Sequence, residues 1–250
     1  MLTQTVTMND AMQGARNALP RKGLYSIRPG QYLAREGEQQ GYVHHIMEGW
    51  ACRYKLLPDG RRQITRLFLP GDYCELCWAH GKRASQHVVA LTSVRTLRFL
   101  SRDFERMLLD SPAVQEMIWS EALIHADIQD EWIINLGRKS AIEKLSHLFC
   151  EFFYRLKAVD LCYGGQCAMP LTQLDLADIT GLTPVHVNRT LQEMRNLGLI
   201  ELRSKWLRIP DLARLRQIAV FDDSYLSLTR RRDDPPALSA AVSQPTLGAC

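Results

Sequence analysis

The chain has 250 residues, 46% hydrophobic and 23% charged, with a formal net charge of +4, the make-up of an ordinary globular protein with room for two domains. No apolar run is long enough to cross a membrane, and the first 22 residues hold no apolar block of the secretory kind, which points to the cytoplasm and to no membrane partner. The seven cysteines are odd in number and lack paired Cys-x-x-Cys units, which argues against a disulfide framework and a metal site; no phosphate-binding glycine loop, nucleophile elbow or metalloprotease motif marks an enzyme.

Residues 1–23 read as an N-terminal arm. Between residues 24 and 100, within an effector-type domain read over 24–111, short apolar stretches are punctuated by Gly30, Gly37, Gly41, Gly49, Gly60 and Gly71 at strand-plus-turn intervals, which predicts an all-β domain. Pro58-Asp59-Gly60 and Pro70-Gly71-Asp72 are its clearest turns. His44, His45, His80 and His87 are scattered over this domain and read as surface or structural groups rather than haem ligands. Cys74 and Cys77 form one Cys-x-x-Cys, open to two readings: a pair of packed side chains, or thiols that sense an oxidant or bind a metal.

Pro112 can open a helix, after which Val114, Met117, Ile118, Ile124, Ile128, Trp132 and Leu136 follow at helical spacing as far as Gly137. A helix over 112–137 spans roughly 37 Å, too long for either neighbouring domain to cover. It is therefore expected to pair with its copy in a homodimer through Val114, Met117, Ile124, Ile128 and Trp132. The stripe mixes heptad steps with steps of four, so a broad packed face and a coiled coil both fit.

A third region is read over 138–216. AIEKLSHLFCEFFYRL gives an amphipathic helix, with Cys150 and Cys162 in or beside it as small buried residues. Residues 172–197, TQLDLADITGLTPVHVNRTLQEMRNL, carry the signature of a helix-turn-helix. Thr172 caps the first helix with Asp175 three positions on, and Gly181 closes it. Thr183 and Pro184 start the second at once.

On the second helix Val187, Leu191, Met194 and Leu197 form the apolar stripe, and Val185, Asn188, Arg189 and Gln192 lie opposite. Arg189 is the candidate base reader, because its planar fork matches the O6 and N7 acceptors of guanine. Val185 suits a thymine methyl. Thr172, Gln173, Thr183 and His186 sit near helix N-termini, where amides and short polar groups hold phosphate.

Next comes LIELRSKWLRIPD, a hairpin whose basic turn carries Arg203 and Lys205, hence a wing. Between Arg138 and Arg216 there are twelve Lys and Arg against eight Asp and Glu, which suits double-stranded DNA as a partner. The remainder, 217–250, reads as a C-terminal extension, disordered from about residue 230, since its basic, small and proline-rich residues cannot bury a core.

From 24 to 220, the order of β domain, long helix and winged helix resembles the Crp/Fnr family of bacterial transcription regulators. The resemblance implies an α+β fold: a cyclic-nucleotide-binding-like β-roll, a dimerisation helix and a winged helix-turn-helix. It further implies a homodimer on a palindromic promoter site, with RNA polymerase as a partner.

The effector cassette departs from the family members that bind cyclic AMP. CELCWAHGKRASQ keeps Glu75 and Leu76 but places Cys74 where the glycine belongs, and no register supplies both Arg83 and Ser85 to a cyclic phosphate. The long helix offers Gln129 and Asp130 instead of hydroxyl residues. The candidate pocket of Cys74, Glu75, Leu76, Arg83, Ser85 and Gln129 thus argues against cyclic AMP, and the absence of cysteines from residues 1–51 argues against the family's N-terminal iron-sulfur cluster.

No cofactor is expected to be required, and control is expected through another effector. The alternatives are a constitutive DNA-binding regulator without ligand and a cyclic-nucleotide-type protein-interaction module. The recognition helix departs as well: Pro184 and Val185 stand where the cyclic-AMP regulator has arginine and glutamate, while Arg189 keeps its arginine.

Overall fold

The computed structural model describes residues 23–226; most of the N-terminal arm and the tail expected to be disordered lie outside the described residues. Two four-stranded antiparallel sheets build the first half. One runs β1 (Leu24–Ile27), β8 (Val94–Leu100), β3 (Tyr42–Glu48), β6 (Tyr73–Cys74). The other runs β2 (Tyr32–Ala34), β7 (His87–Ala90), β4 (Ala51–Leu56), β5 (Arg62–Phe68).

Ile27, Ile46, Phe68, Trp78 and Val88 share one buried core of this domain. Gly49 makes the β3–β4 turn possible: at its φ of +82° a Cβ would sit 2.0 Å from the Ser93 carbonyl oxygen, so only glycine fits.

The last strand of the domain ends at Leu100, where the glycine-punctuated β pattern ends in the sequence. Ser101–Asp110 is a helix, α1, because Phe104, Met107 and Leu108 recur at helical spacing and pack with Tyr73 and Phe99. The long helix α2 (Pro112–Arg138) follows, with the Ser111 side chain accepting from the Val114 amide and Pro112 in its first turn.

The expected interface on α2 needs correction. Val114 and Met117 are buried in the chain's own core beside Val43, Tyr73 and Phe104, while Ile128 and Trp132 pack on the C-terminal core. Ile124 is half-buried. The Trp132 indole also donates to Glu151 Oε2 at 2.9 Å. The large apolar residues that α2 leaves outside are Trp119, Leu123, Ile133, Ile134 and Leu136, at 64, 63, 69, 50 and 38% exposure.

Helix α3 (Ala141–Lys157) opens on a reciprocal cap between Ser140 and Glu143 and buries Leu145, Leu148, Phe149, Cys150 and Phe152. After it comes a hairpin absent from the sequence reading, β9 (Cys162–Tyr163) and β10 (Gln166–Ala168), which leaves Cys162 only half-buried. Then follow α4 (Gln173–Thr180), α5 (Pro184–Asn196), the wing β11 (Glu201–Arg203) and β12 (Trp206–Arg208), and α6 (Leu212–Ala219). The third sheet runs β11-β12-β10-β9.

The boundary read at residue 216 falls too early. Phe221 and Leu226 are buried in the C-terminal core, and the Tyr225 ring stacks on His147 with centroids 6.0 Å apart.

Candidate DNA interface

Both helices of the motif begin on side-chain caps. The Thr172 hydroxyl accepts from the Asp175 amide at 3.1 Å, and Asp175 Oδ2 accepts from the Thr172 amide at 3.0 Å. Gly181 ends α4 at φ 66° in the left-handed region. Thr183 then accepts from the His186 amide at 3.2 Å, with Pro184 in the first turn of α5. The two hydroxyls proposed as phosphate contacts are thus already helix caps.

Val187, Leu191 and Met194 are buried and seat α5, whereas Leu197, read as part of the same stripe, is 43% exposed because the helix ends there. The outer face keeps Arg189 and Gln192 exposed and Val185 at 81% exposure. His186 is half-buried at the helix start. Asn188 is tied back: its amide nitrogen donates to Gln173 Oε1 at 3.1 Å. Gln173, Pro184, Val185, Asn188, Arg189 and Gln192 line one shallow concavity of about 390 Å³.

Beside it, the wing turns at Ser204 and Lys205, with φ of 49° and 65°. The Lys205 carbonyl accepts from the Met169 amide at 2.8 Å, and both Arg203 and Lys205 are exposed. A fixed helix face and a basic turn on one domain suit base edges and phosphates respectively.

The reading helices are braced against the β-roll. Arg62, on β5, donates to Asp175 Oδ1 at 2.8 Å and Asp178 Oδ2 at 2.5 Å, and Gln63 Nε2 donates to the Ile179 carbonyl at 3.1 Å. Arg155 on α3 reaches Asp72 of the Pro70-Gly71-Asp72 turn at 2.6 Å.

The six residues expected to form an effector pocket sit in different surroundings. Cys74 is fully buried, Leu76 packs beside the Val43 and Phe104 core, and Arg83, Ser85 and Gln129 are exposed. Arg83 Nη1 donates to the Gly37 carbonyl at 2.9 Å. Glu75 is buried as well, held at φ 50° with its carboxylate 2.9 Å from Arg53 Nη1 and 3.9 Å from Arg66 Nη1.

Arg66 in turn donates to His125 Nε2 on α2. Arg53 Nε donates to Thr65 Oγ1 at 3.2 Å, and that hydroxyl donates to Gln86 at 2.6 Å. Burial, with the charges of Arg66, Arg155 and Arg53, holds the His125 imidazole down at about 2, so it is the neutral acceptor here. The reading missed Arg53, Arg66 and His125; the only sequence signal for them was charge within apolar runs.

The Cys-x-x-Cys also resolves. Burial raises the Cys74 thiol well above its ordinary value, and burial with the Glu75 charge raises Cys77, so neither is an activated thiolate. Among the described residues no cluster of three or more His, Cys, Asp or Glu side chains is placed to hold a metal. No described helix is long and apolar enough to cross a membrane.

Family comparisons agree with this geometry. The cyclic nucleotide-binding domain model matches residues 25–111, and the Crp-like helix-turn-helix domain model matches 143–218. The transcriptional activator protein FnrL of Cereibacter sphaeroides is 31% identical over 204 residues, 80% of this chain and 81% of the relative. The transcriptional activatory protein AadR of Rhodopseudomonas palustris is 31% identical over 191 residues, covering 76% and 79%.

The solved structure of FixK2 from Bradyrhizobium japonicum superimposes with a TM-score of 0.71 at 25% identity, over 80% of this chain and 98% of that one. With relatives this similar over most of both chains, and both domain types matched in the order the fold presents them, the chain belongs to the Crp/Fnr family of DNA-binding transcription regulators.

Proposed function

We propose that this regulator is a cytoplasmic homodimer that binds a palindromic DNA site, reads a guanine in each half-site with Arg189 and acts at promoters with RNA polymerase. The observation that carries the reading is the exposed face of Val185, Arg189 and Gln192 on a helix capped at its start and braced through α4 to the β-roll. Arg189→Ala is expected to cost about 1–3 kcal/mol at one base pair per half-site and to relax selectivity there, whereas Lys205→Ala weakens every sequence alike. Binding selection on genome fragments at fixed salt tests this directly. Equal losses on all sequences from both variants would remove Arg189 as a base reader.

Dimerisation is supported by the outer stripe of α2. Trp119, Leu123, Ala126, Asp130 and Ile133 are all exposed and recur at steps of four, three, four and three, the 3.5-residue period of a coiled-coil seam. Two recognition helices on such a dimer address half-sites about 34 Å apart. Leu123→Glu combined with Ile133→Glu is expected to reduce the light-scattering mass to one chain of 28.6 kDa. Affinity for the palindrome is expected to fall about a hundredfold with it. A mass that stays dimeric would move the interface off this stripe.

The β-roll answers to a signal other than cyclic AMP, and DNA binding requires no cofactor. A regulator active without any ligand is the second reading, favoured by the ion-pair network of Arg53, Glu75, Arg66 and His125 inside the roll. It predicts no dependence of DNA affinity on any small molecule.

A further inference from the structure

Two cysteines face each other on the hairpin between α3 and α4. Cys162 on β9 and Cys167 on β10 are direct partners in the antiparallel register, one pair beyond Tyr163 and Gln166. The turn between them is Gly164-Gly165, both at positive φ, 58° and 76°, the two-residue turn typical of tight hairpins. Opposed residues in such a ladder have α-carbons about 4.5–5.5 Å apart, and disulfides span about 4.4–6.8 Å. The backbone therefore already holds the pair at bonding separation.

The thiols differ in character. Cys167 is fully buried, while Cys162 is half-buried and its thiol donates to the Phe153 carbonyl oxygen at 3.5 Å. The hydrogen bond from Cys167 holds the Cys162 thiol below its ordinary value against the opposing effect of burial, and the Lys157 charge adds to it. Cys52, Cys74, Cys77 and Cys150 are all pushed the other way, chiefly by burial.

We propose that Cys162 and Cys167 are a reversible disulfide-forming modification site in the DNA-binding domain, oxidised by hydroperoxides. The Cys162 thiolate attacks the peroxide oxygen and the O–O bond breaks. The alkoxide or hydroxide leaves and takes up the proton the thiol gave, and Cys162 becomes a sulfenic acid. The Cys167 sulfur then attacks Cys162, an S–S bond forms and water leaves with the Cys167 proton. Two thiols lose two electrons and one hydroperoxide gains them; exchange with a dithiol restores the pair. The site bears on DNA contact through the sheet, since β10 pairs with the wing strand β12.

The test is peptide mass mapping of the full-length protein after treatment with hydrogen peroxide and alkylation of the remaining thiols. The expected product is a peptide over residues 162–167 that has lost two hydrogens, carries no alkyl group and regains both thiols with dithiothreitol. Cys162 is expected to react about tenfold faster than Cys77. Cys167→Ser should strand Cys162 at its sulfur oxyacids. If that variant fails to fold, Cys162→Ser should leave Cys167 reduced under the same treatment. Reaction of Cys162 no faster than Cys77, a disulfide to any other cysteine, or oxidation of Cys167 undiminished in Cys162→Ser would each overturn the proposal.

Discussion

Glu75→Gln is expected to destabilise the fold by about 3–5 kcal/mol, because it leaves two buried guanidinium groups facing each other without their shared anion. The side chains of Arg53 and Arg66 are each 14% exposed and that of Glu75 only 8%. Arg66 Nε already lacks a partner, and what would remain to the guanidinium is the neutral His125, a Tyr73 carbonyl 3.5 Å away, the Phe68 ring 4.6 Å beneath it and the more distant charge of Asp72.

Removing one member of such a group costs more than its pairing contributed, since a buried charge loses hydration it never recovers. Arg83→Ala provides the contrast: its hydrogen bond to the Gly37 carbonyl is exposed, and the loss should stay below about 1 kcal/mol. Urea unfolding of the two variants at pH 7 measures both. A Glu75→Gln loss near that of Arg83→Ala would mean that water enters the network and hydrates the arginines.

The network has a functional side. His125 lies on α2 while Arg53 and Arg66 lie on β4 and β5, so these contacts fasten the roll to the long helix. A cyclic phosphate entering here would have to displace Glu75 from Arg53 and Arg66. Two-domain regulators respond to a ligand only through a difference in its affinity for two arrangements.

What was legible in the sequence was local. Thr172 with Asp175, Gly181, and Thr183 with Pro184 each act within one helical turn, and the helix-turn-helix follows from them alone. The face of α2 was not legible, because that helix carries two apolar stripes and periodicity cannot say which is covered from within the chain. Val114 and Met117 meet Tyr73 and Phe104, so the stripe with the better helical spacing is the inner one. The hairpin of Cys162 and Cys167 had its signal in Gly164-Gly165, a pair that marks a tight turn but is flanked by strands too short to alternate visibly. The charged interior of the roll had no local signature: Arg53 and Glu75 are 22 residues apart and Arg66 and His125 are 59.

Between about pH 6.5 and 4.5, acid should destabilise this protein through its histidines. Burial and the Arg98 charge lower His44 to about 3, burial and the Lys139 charge lower His147 to about 3, and burial with three arginines lowers His125 to about 2. In the unfolded chain each returns to about 6.5. Above that pH all three are neutral in both states and add no slope. Below it the unfolded chain binds protons that the folded chain refuses, so stability falls as pH falls, by about 1.4 kcal/mol per pH unit for each histidine and about 4 for the three. Against a total of about 5–15 kcal/mol, that slope brings unfolding between about pH 5 and 3.

Ordinary carboxylates titrate below about pH 4.5, so urea midpoints at pH 7, 6 and 5 isolate the histidines. His44→Leu is the diagnostic variant, since His44 is 2% exposed and its Nδ1 has no hydrogen-bond partner to lose. His147, by contrast, is held by Lys139 at 2.8 Å and Tyr225 at 3.1 Å. The His44 variant should shed a third of the slope and be more stable than the parent at pH 5. An unchanged slope would mean that His44 takes up its proton without leaving the fold, which requires an acceptor or water beside Nδ1 and would make the β3–β8 layer wetter than its burial indicates.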